Sequence, residues 1–323
     1  MPRYQKISDK IEKVTINNPN NNNKPIIWTN IKNPRSKEIE YLKKQKKGFK
    51  KEHLETAHAK HFSQRPKIDT GNKYLFLTLL FPVFKNGKVA AEEINFFIGH
   101  GFLFTLHRDK ISCLNELFQE CQKKQKYLLS YKLESSAILL YEILQELINY
   151  SYSLIDRIGA DIDQVEESIF SWNQKKAAVQ ILNIRRNVIN MRKIMQNHKN
   201  ILRRLMTMES SVVSMADIKK YYQNLVDHSK RIWEFSENQK ETVEALHDTN
   251  QTLQNNHMNR IMKTLTIFTG TIFPLNLIAG LLSMNIKGGM PLLNVDYGFW
   301  IIVAFMVVLD LSAWLILKKK GWV

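Results

Sequence analysis

The chain has 323 residues, with 47 Lys and Arg against 30 Asp and Glu for a formal net charge of +17, a length that accommodates one or two soluble domains beside a membrane segment. Its two cysteines, Cys113 and Cys121, exclude a disulfide scaffold and lack companion ligands at zinc-site spacing. No glycine-rich phosphate loop, His-Glu-x-x-His or nucleophile elbow occurs, so the sequence carries no enzyme motif. Much of the positive excess lies in residues 1–67, which hold 17 Lys and Arg against 6 Asp and Glu. Aromatic residues are sparse there and no recognition motif appears. The basic region therefore reads as a solvated surface or one near anionic lipid headgroups, and nucleic acid is not an expected partner.

Residues 1–24 read as a flexible N-terminal tail containing the asparagine run Asn20–Asn23. Its polar start, with Lys6, Lys10 and Lys13 and no apolar segment after them, does not resemble a signal peptide, so the bulk of the chain is expected in the cytoplasm. A strand is predicted from Pro25 to Ile31, then a turn at Asn33–Ser36 capping a helix over Lys37–Gln45. The apolar run Tyr74–Phe84, a turn at Asn86-Gly87 and the runs Glu93–Ile98 and Phe102–His107 complete an α/β domain over 25–110. Little Gly or Pro follows from Ile111 to Lys263, and apolar residues recur at helical spacing. This predicts helices at about 112–130, 134–170, 172–207 and from 215 onward, a stalk over 111–263 whose last helix continues into the membrane.

Leu265–Met284 is a 20-residue uncharged run, long enough to span a hydrocarbon layer of about 30 Å at 1.5 Å per residue. Gly298–Leu317 is a second apolar run holding one charge, Asp310, and residues 318–323 form a basic C-terminus. The two-helix membrane domain is thus 264–317. Arg260 and Lys263 before it and Lys318–Lys320 after it place both flanks on the cytoplasmic side. One face of the first span reads Asn259, Met262, Thr266, Thr269, Phe273, Asn276, Gly280, Ser283. Polar groups are costly in lipid, so this stripe faces protein or water; two asparagines favour a water-filled lumen over close helix packing alone. A single such helix cannot enclose a pore, so a lumen requires a closed ring of chains. Asp310 is expected to be protonated or hydrogen-bonded to Thr269 or Thr271, with snorkelling toward the cytoplasmic face as the alternative.

The run NRIMKTLTIFTGTIFPLNLIAG followed by Ser283-Met284-Asn285 resembles the first membrane helix of the CorA superfamily of divalent-metal transporters, with Ser283 where the family motif has Gly. Trp28-x-x-Ile31-x-Asn33-Pro34, Gln64-Arg65-Pro66-Lys67, Tyr74-Leu75-Phe76 and Leu103–His107 are similar to landmarks of that family's cytoplasmic domain. The resemblance implies an α+β fold in which an N-terminal cytoplasmic α/β domain and a helical stalk continuous with the first of two transmembrane helices assemble as a homopentameric funnel. It also implies transport of Mg²⁺, or of Co²⁺, Ni²⁺ or Zn²⁺, with no cofactor. Because Mg²⁺ sheds water reluctantly, a ring of Asn285 amides at the mouth is expected to hold the hydrated ion through its waters, with Asn276 as a second ring. Met262, Leu265 and Phe273 are candidates for apolar constrictions. The loop Ile286–Leu292 lacks acidic residues, carries Lys287, and with Gly288-Gly289-x-Pro291 looks closer to the ZntB branch. Where the family carries a Glu-Asp pair, whose Asp takes part in an inter-subunit regulatory metal site, this chain has Ala57-His58, and His58 is an alternative ligand for a softer metal. His58, beside His53 and His61, reads as an ordinary surface residue. The competing reading is a membrane-anchored scaffold whose hairpin only tethers it.

Overall fold

The computed structural model describes residues 4–16, 25–45, 48–58, 60, 65–123, 136–170, 174–207, 219–284 and 297–319. The chain separates into two compact units, Met1–His247 and Asp248–Val323.

In the first unit seven strands form one sheet in the order β1-β2-β3-β7-β6-β5-β4. They are β1 (Tyr4–Ser8), β2 (Ile11–Ile16), β3 (Ile26–Lys32), β4 (Lys67–Thr70), β5 (Leu75–Lys85), β6 (Lys88–Gly99) and β7 (Phe102–His107). Every neighbouring pair is antiparallel except β3 with β7, which run parallel. Asn86 and Gly87 both adopt positive φ, 51° and 76°. That backbone matches the twist of a two-residue hairpin and fixes the β5–β6 register at Lys85 opposite Lys88. The strands β5 and β7 read as continuous apolar runs because both faces of the sheet are covered. On one face Ile31, Phe76, Phe97, Phe104 and Leu106 pack with Ile39 and Leu42 of α1 (Ser36–Gln45) and Leu54 of α2 (Lys51–Thr56). On the other, Trp28 meets Phe118 of α3 (Ser112–Lys123) edge-on at 4.8 Å and donates its indole N–H to Thr105 Oγ1 at 3.1 Å.

Two long helices, α4 (Ser136–Ile169) and α5 (Gln174–Met195), also cover the sheet. Asn187 of α5 accepts from the Val89 N–H at 3.0 Å and donates to the Gly87 carbonyl at 3.0 Å, while Asn190 donates to the Val89 carbonyl at 2.9 Å. These bonds lock α5 to the β5–β6 hairpin. After α6 (His198–Thr207) comes α7 (Lys219–Leu282), 64 residues long, which runs unbroken from the first unit into the second. Within the first unit, Tyr222 donates to the Ala137 carbonyl at 2.7 Å and Gln239 to that of Ile155 at 3.0 Å, joining α7 to α4. The C-terminal helix is α8 (Gly298–Lys319).

Three expectations are corrected. The flexible tail over 1–24 is not a tail between Tyr4 and Ile16: β2 pairs residue by residue with β3, burying Ile11, Val14 and Ile16, and β1 pairs with β2. The apolar Ile11, Val14 and Ile16 of β2 outweigh its charged Glu12 and Lys13 once β3 offers a partner, while Asn20–Asn23 lie outside the described residues. The helix expected over 172–207 is two helices. It breaks at Gln196-Asn197 so that His198 can turn inward, where its imidazole is fully buried and bonds the Leu80 carbonyl at 2.6 Å. Finally, α2 had no counterpart in the sequence reading. It brings His53, beside His58, into the core, fully buried and stacked on Phe76 with ring centres 4.4 Å apart.

Candidate functional site

Among the described residues two helices, α7 and α8, are long and apolar enough to cross a membrane. Their apolar windows, in α7 and in α8, have mean hydropathies of 1.8 and 2.4. Along the membrane part of α7 the half-buried residues are Ile267, Thr271, Leu275, Ile278 and Leu282. At about 100° per residue these cluster within about 80° of arc. A matching set runs along α8 at Ile302, Met306, Leu309, Ala313 and Leu317, as expected of two helices packed along these lines. The expected polar stripe of Asn259, Met262, Thr266, Thr269, Phe273, Asn276, Gly280 and Ser283 is exposed throughout and is centred about 180° from the half-buried face. Leu265 stands at its edge, also exposed. The polar stripe thus lies on the side of α7 away from α8, among uncovered positions that also include the apolar Phe268, Ile272, Leu277 and Leu281.

The threonine hydroxyls in the membrane part of this helix donate to their own backbone: Thr264 Oγ1 to the Arg260 carbonyl at 3.0 Å, Thr266 to Met262 at 2.8 Å, Thr269 to Leu265 at 2.9 Å and Thr271 to Ile267 at 3.1 Å. Ser283 does the same to Gly280 at 2.8 Å. A hydroxyl whose proton is committed to its own helix keeps only lone pairs to offer outward. Thr266, Thr269 and Ser283 thus present acceptors, which suit the waters of a hydrated cation. Pro274, inside the helix, adds one acceptor that the sequence reading missed: it has no N–H, so the carbonyl of Gly270 loses its i+4 donor at mid-span. The signal was present as a proline inside a helical pattern.

Met284, two residues past the end of α7, is exposed, while Asn285 and Lys287 lie outside the described residues. Asp310 is exposed on α8. Its expected partners Thr269 and Thr271 spend their protons on their own helix, so neither donates to it. Lys318 of α8 lies 4.9 Å from the centre of the Trp314 ring, a position suited to a membrane–water boundary.

In the first unit, Ala57 closes α2 and is buried, and His58 Nδ1 accepts from the Lys60 N–H at 3.2 Å. Among the described residues no three His, Cys, Asp or Glu side chains gather into a metal-holding group. The buried His53 bridges Tyr74 Oη at 2.8 Å and Asp69 Oδ2 at 2.9 Å. Burial pushes its pKa down, opposed by the hydrogen bond and charge of Asp69. Burial also lowers the pKa of His107 and of His198 to about 4, and raises that of the Cys113 thiol to about 12. These groups are neutral structural pins rather than reactive ones.

Comparison with known proteins places the chain. The cobalt/magnesium transport protein CorA of Methanocaldococcus jannaschii is 24% identical over 300 residues, 92% of each chain. The complete structure of the CorA magnesium transporter from the same organism superposes with a TM-score of 0.82 at 19% identity, over 98% of this chain and 100% of that one. The cytoplasmic domain of ZntB from Vibrio parahaemolyticus gives 0.55 at 16% identity, over 72% of this chain and 90% of that domain. The two structures share the fold: an α/β domain, a long helix and, in the complete one, a C-terminal helix pair. Residues 23–319 match the family described as CorA-like Mg2+ transporter protein, so the chain belongs to the CorA family of divalent-cation transporters, which are membrane carriers of metal ions and not enzymes.

Proposed function

We propose that this chain forms a homopentamer that moves divalent metal cations, Mg²⁺ first among them and also Co²⁺, Ni²⁺ or Zn²⁺, through a lumen lined by the polar face of α7. The observation that carries the reading is the opposition of the two faces of that helix: Ile267, Thr271, Leu275, Ile278 and Leu282 are half-buried, and the stripe from Asn259 to Ser283 stands uncovered on the other side. A ring of chains turns five such stripes inward, so the polar groups meet water and not lipid.

Conduction then follows from ligand chemistry. Thr266, Thr269 and Asn276 offer oxygens to a hydrated ion, and the Gly270 carbonyl freed by Pro274 adds another at mid-span. Neutral oxygens hold a divalent ion through its waters without demanding full dehydration, which lets it leave again. Asn285 amides form the first ring at the mouth, Ser283 and Met284 close the turn beneath it, and Met262, Leu265 and Phe273 narrow the path by excluding water. The resident protein needs no cofactor; the metal is the cargo.

The basic flanks at Arg260, Lys263 and Lys318–Lys320 support a topology with both termini in the cytoplasm of a cell with the protein in its inner membrane. Along the chain we assign 25–110 to the cytoplasmic α/β domain, 111–263 to the stalk, 264–317 to the pore and 318–323 to the basic C-terminus. The decisive experiment reconstitutes the purified protein in liposomes and compares uptake of Mg²⁺, Co²⁺, Ni²⁺ and Zn²⁺ with and without a pH gradient. Mass measurement in mild detergent should give five chains. Absence of uptake for all four metals, or monomers and dimers only, would remove the pore.

A further inference from the structure

Two exposed helix faces of the Met1–His247 unit carry opposite charge. Residues 174–207, which cover α5 and α6, hold nine Lys and Arg and no Asp or Glu. Arg185 and Arg192 turn toward α7 and form two rungs with its Glu244 and Glu237. Arg186 and Lys193, each one residue further on, point to solvent in a stripe with Lys176, Val179, Leu182 and Ile189, and neither has an ion-pair partner among the described residues. Val179, Leu182 and Ile189 are 59%, 56% and 43% exposed, although the opposite face of α5 is already buried through Ile181, Ile184 and Val188. Large apolar side chains gathered on one exposed face mark a surface that something covers. On α4, residues 156–167 hold five Asp and Glu against one Arg, and that Arg157 lies over the Phe84 ring at 3.8 Å. The exposed stripe of α4 reads Asp156, Ala160, Asp163, Glu167 and Phe170, the last 72% exposed. Its three carboxylates have no ion-pair partner among the described residues.

The two stripes share one spacing. From Asp156 the α4 stripe steps 4, 7, 11 and 14 residues forward to Phe170, and from Lys193 the α5 stripe steps the same 4, 7, 11 and 14 residues backward to Val179. Laid antiparallel, Asp156 faces Lys193, Ala160 faces Ile189, Asp163 faces Arg186 and Phe170 faces Val179. That gives two ion pairs and two apolar contacts, with the small Ala160 leaving room for Ile189. Glu167 meets Leu182 and has Arg186 one turn away. Laid parallel over the same span, Asp156 would face Val179 and Phe170 would face Lys193. Within one chain the stripes do not meet: α4 and α5 pack side by side as an antiparallel pair joined through residues 170–173, and both stripes stay exposed. Between chains they can. Rotation about a ring axis keeps the direction of a helix along that axis, so in a head-to-tail ring α5 of one chain runs antiparallel to α4 of the next, as it does to α4 of its own. The seam from Asp156 to Phe170 is about 21 Å long at 1.5 Å per residue. A contact of that size, edged by exposed charges, governs which surfaces meet and in what register more than it holds an assembly together.

We propose that the α5 stripe of each chain docks on the α4 stripe of a second copy, Arg186 and Lys193 against Asp163 and Asp156 and Ile189 against Ala160, as a head-to-tail contact between neighbours. The inference rests on the ring of chains proposed above, and its test separates the two. Full-length chains carrying both Ala160→Cys and Ile189→Cys are oxidised in membranes and run without reductant, beside each single-cysteine chain and a pair two turns out of register, Ser153→Cys/Ile189→Cys. The natural Cys113 and Cys121 are buried and stay out of the reaction. The matched pair should give a ladder of products from dimer upward, severalfold above the controls, and Ala160→Cys chains co-expressed with Ile189→Cys chains should stop at dimers. Arg186→Glu/Lys193→Glu should cut the yield about threefold or more, and adding Asp156→Lys/Asp163→Lys should restore it. No product above the controls, or a matched pair that stops at dimers, overturns the contact. So does an Ile189→Cys that a water-soluble maleimide labels fully in the intact assembly, which leaves the stripe facing solvent, or one protected only where anionic lipid is present, which gives it to a lipid surface. Mass and metal uptake of the unsubstituted protein decide the pore separately: five chains and uptake without the cross-link keep the pore and reject this contact, whereas a ladder without uptake keeps the contact and rejects transport.

Discussion

Mild acid should destabilise the Met1–His247 unit through two imidazoles that burial holds neutral. His107 and His198 are 2% and 0% exposed, with Nε2 of His107 3.0 Å from Asn30 Oδ1 and that of His198 2.6 Å from the Leu80 carbonyl. Burial holds both near pKa 4 in the folded protein, against 6.5 for an ordinary imidazole. In the unfolded chain they protonate first as pH falls. Their neutral folded form is therefore fully favourable above about pH 6.5, and stability drains away between 6.5 and 4. Between pH 6.5 and 5 each histidine costs about 1.6 kcal/mol, so the two together cost about 3 kcal/mol, a large part of the 5–15 kcal/mol typical of a folded domain. His53 pushes the same way, less strongly because Asp69 favours its charged form. Stopping at pH 5 keeps most carboxylates ionised. The assay is urea unfolding of the detergent-solubilised protein at pH 7, 6.5, 5.75 and 5, followed by near-ultraviolet dichroism and tryptophan fluorescence. His198→Leu should lower stability at pH 7 and remove about half of the acid-dependent drop. An unfolding free energy constant within about 1 kcal/mol across the window would refute the assignment of both rings as buried and neutral.

At the proposed mouth, Asn285→Ala should lower metal uptake at least tenfold while the mass of the assembly stays that of the unsubstituted protein; uptake retained at the original rate would exclude an amide ring there. Lys287→Glu should raise initial uptake at micromolar metal and low ionic strength. Each lysine opposes a divalent ion by about 1 kcal/mol at ~8 Å in a water-like dielectric, and the gap should close as salt screens it. Equal rates at low salt would show that the loop charge does not govern capture. Pro274→Ala returns a donor to the Gly270 carbonyl and should slow uptake severalfold with assembly intact; an unchanged rate would mean that this carbonyl does not face the ion.

The membrane part of the molecule was legible early because its rules are local. Span length follows from rise per residue, and the polar stripe from helical periodicity, so Asn259, Thr266, Thr269 and Asn276 could be set on one face before any fold was known. The hairpin turn at Asn86-Gly87 was equally local, since both residues tolerate positive φ. What the stripe does in the chain was not local. Only the structure shows that the half-buried positions of α7 lie on the opposite side, leaving the polar face open. The Arg192–Glu237 and Arg185–Glu244 rungs join residues far apart in sequence, and nothing in either helix names its partner.

By itself, then, the sequence determined the two spans, the unbroken helix entering the first of them and the strand pairs joined by tight turns, because backbone dihedrals and side-chain period act over a few residues. The tertiary structure decided the rest. Ile11–Ile16 becomes a strand because β3 presents an unpaired edge, His53 becomes a core residue because Tyr74 and Asp69 satisfy its two nitrogens, and the long helix breaks at Gln196-Asn197 because His198 finds a carbonyl on β5. Each outcome depends on a partner supplied from elsewhere in the chain, and a buried polar group or strand edge is stable only when that partner is present.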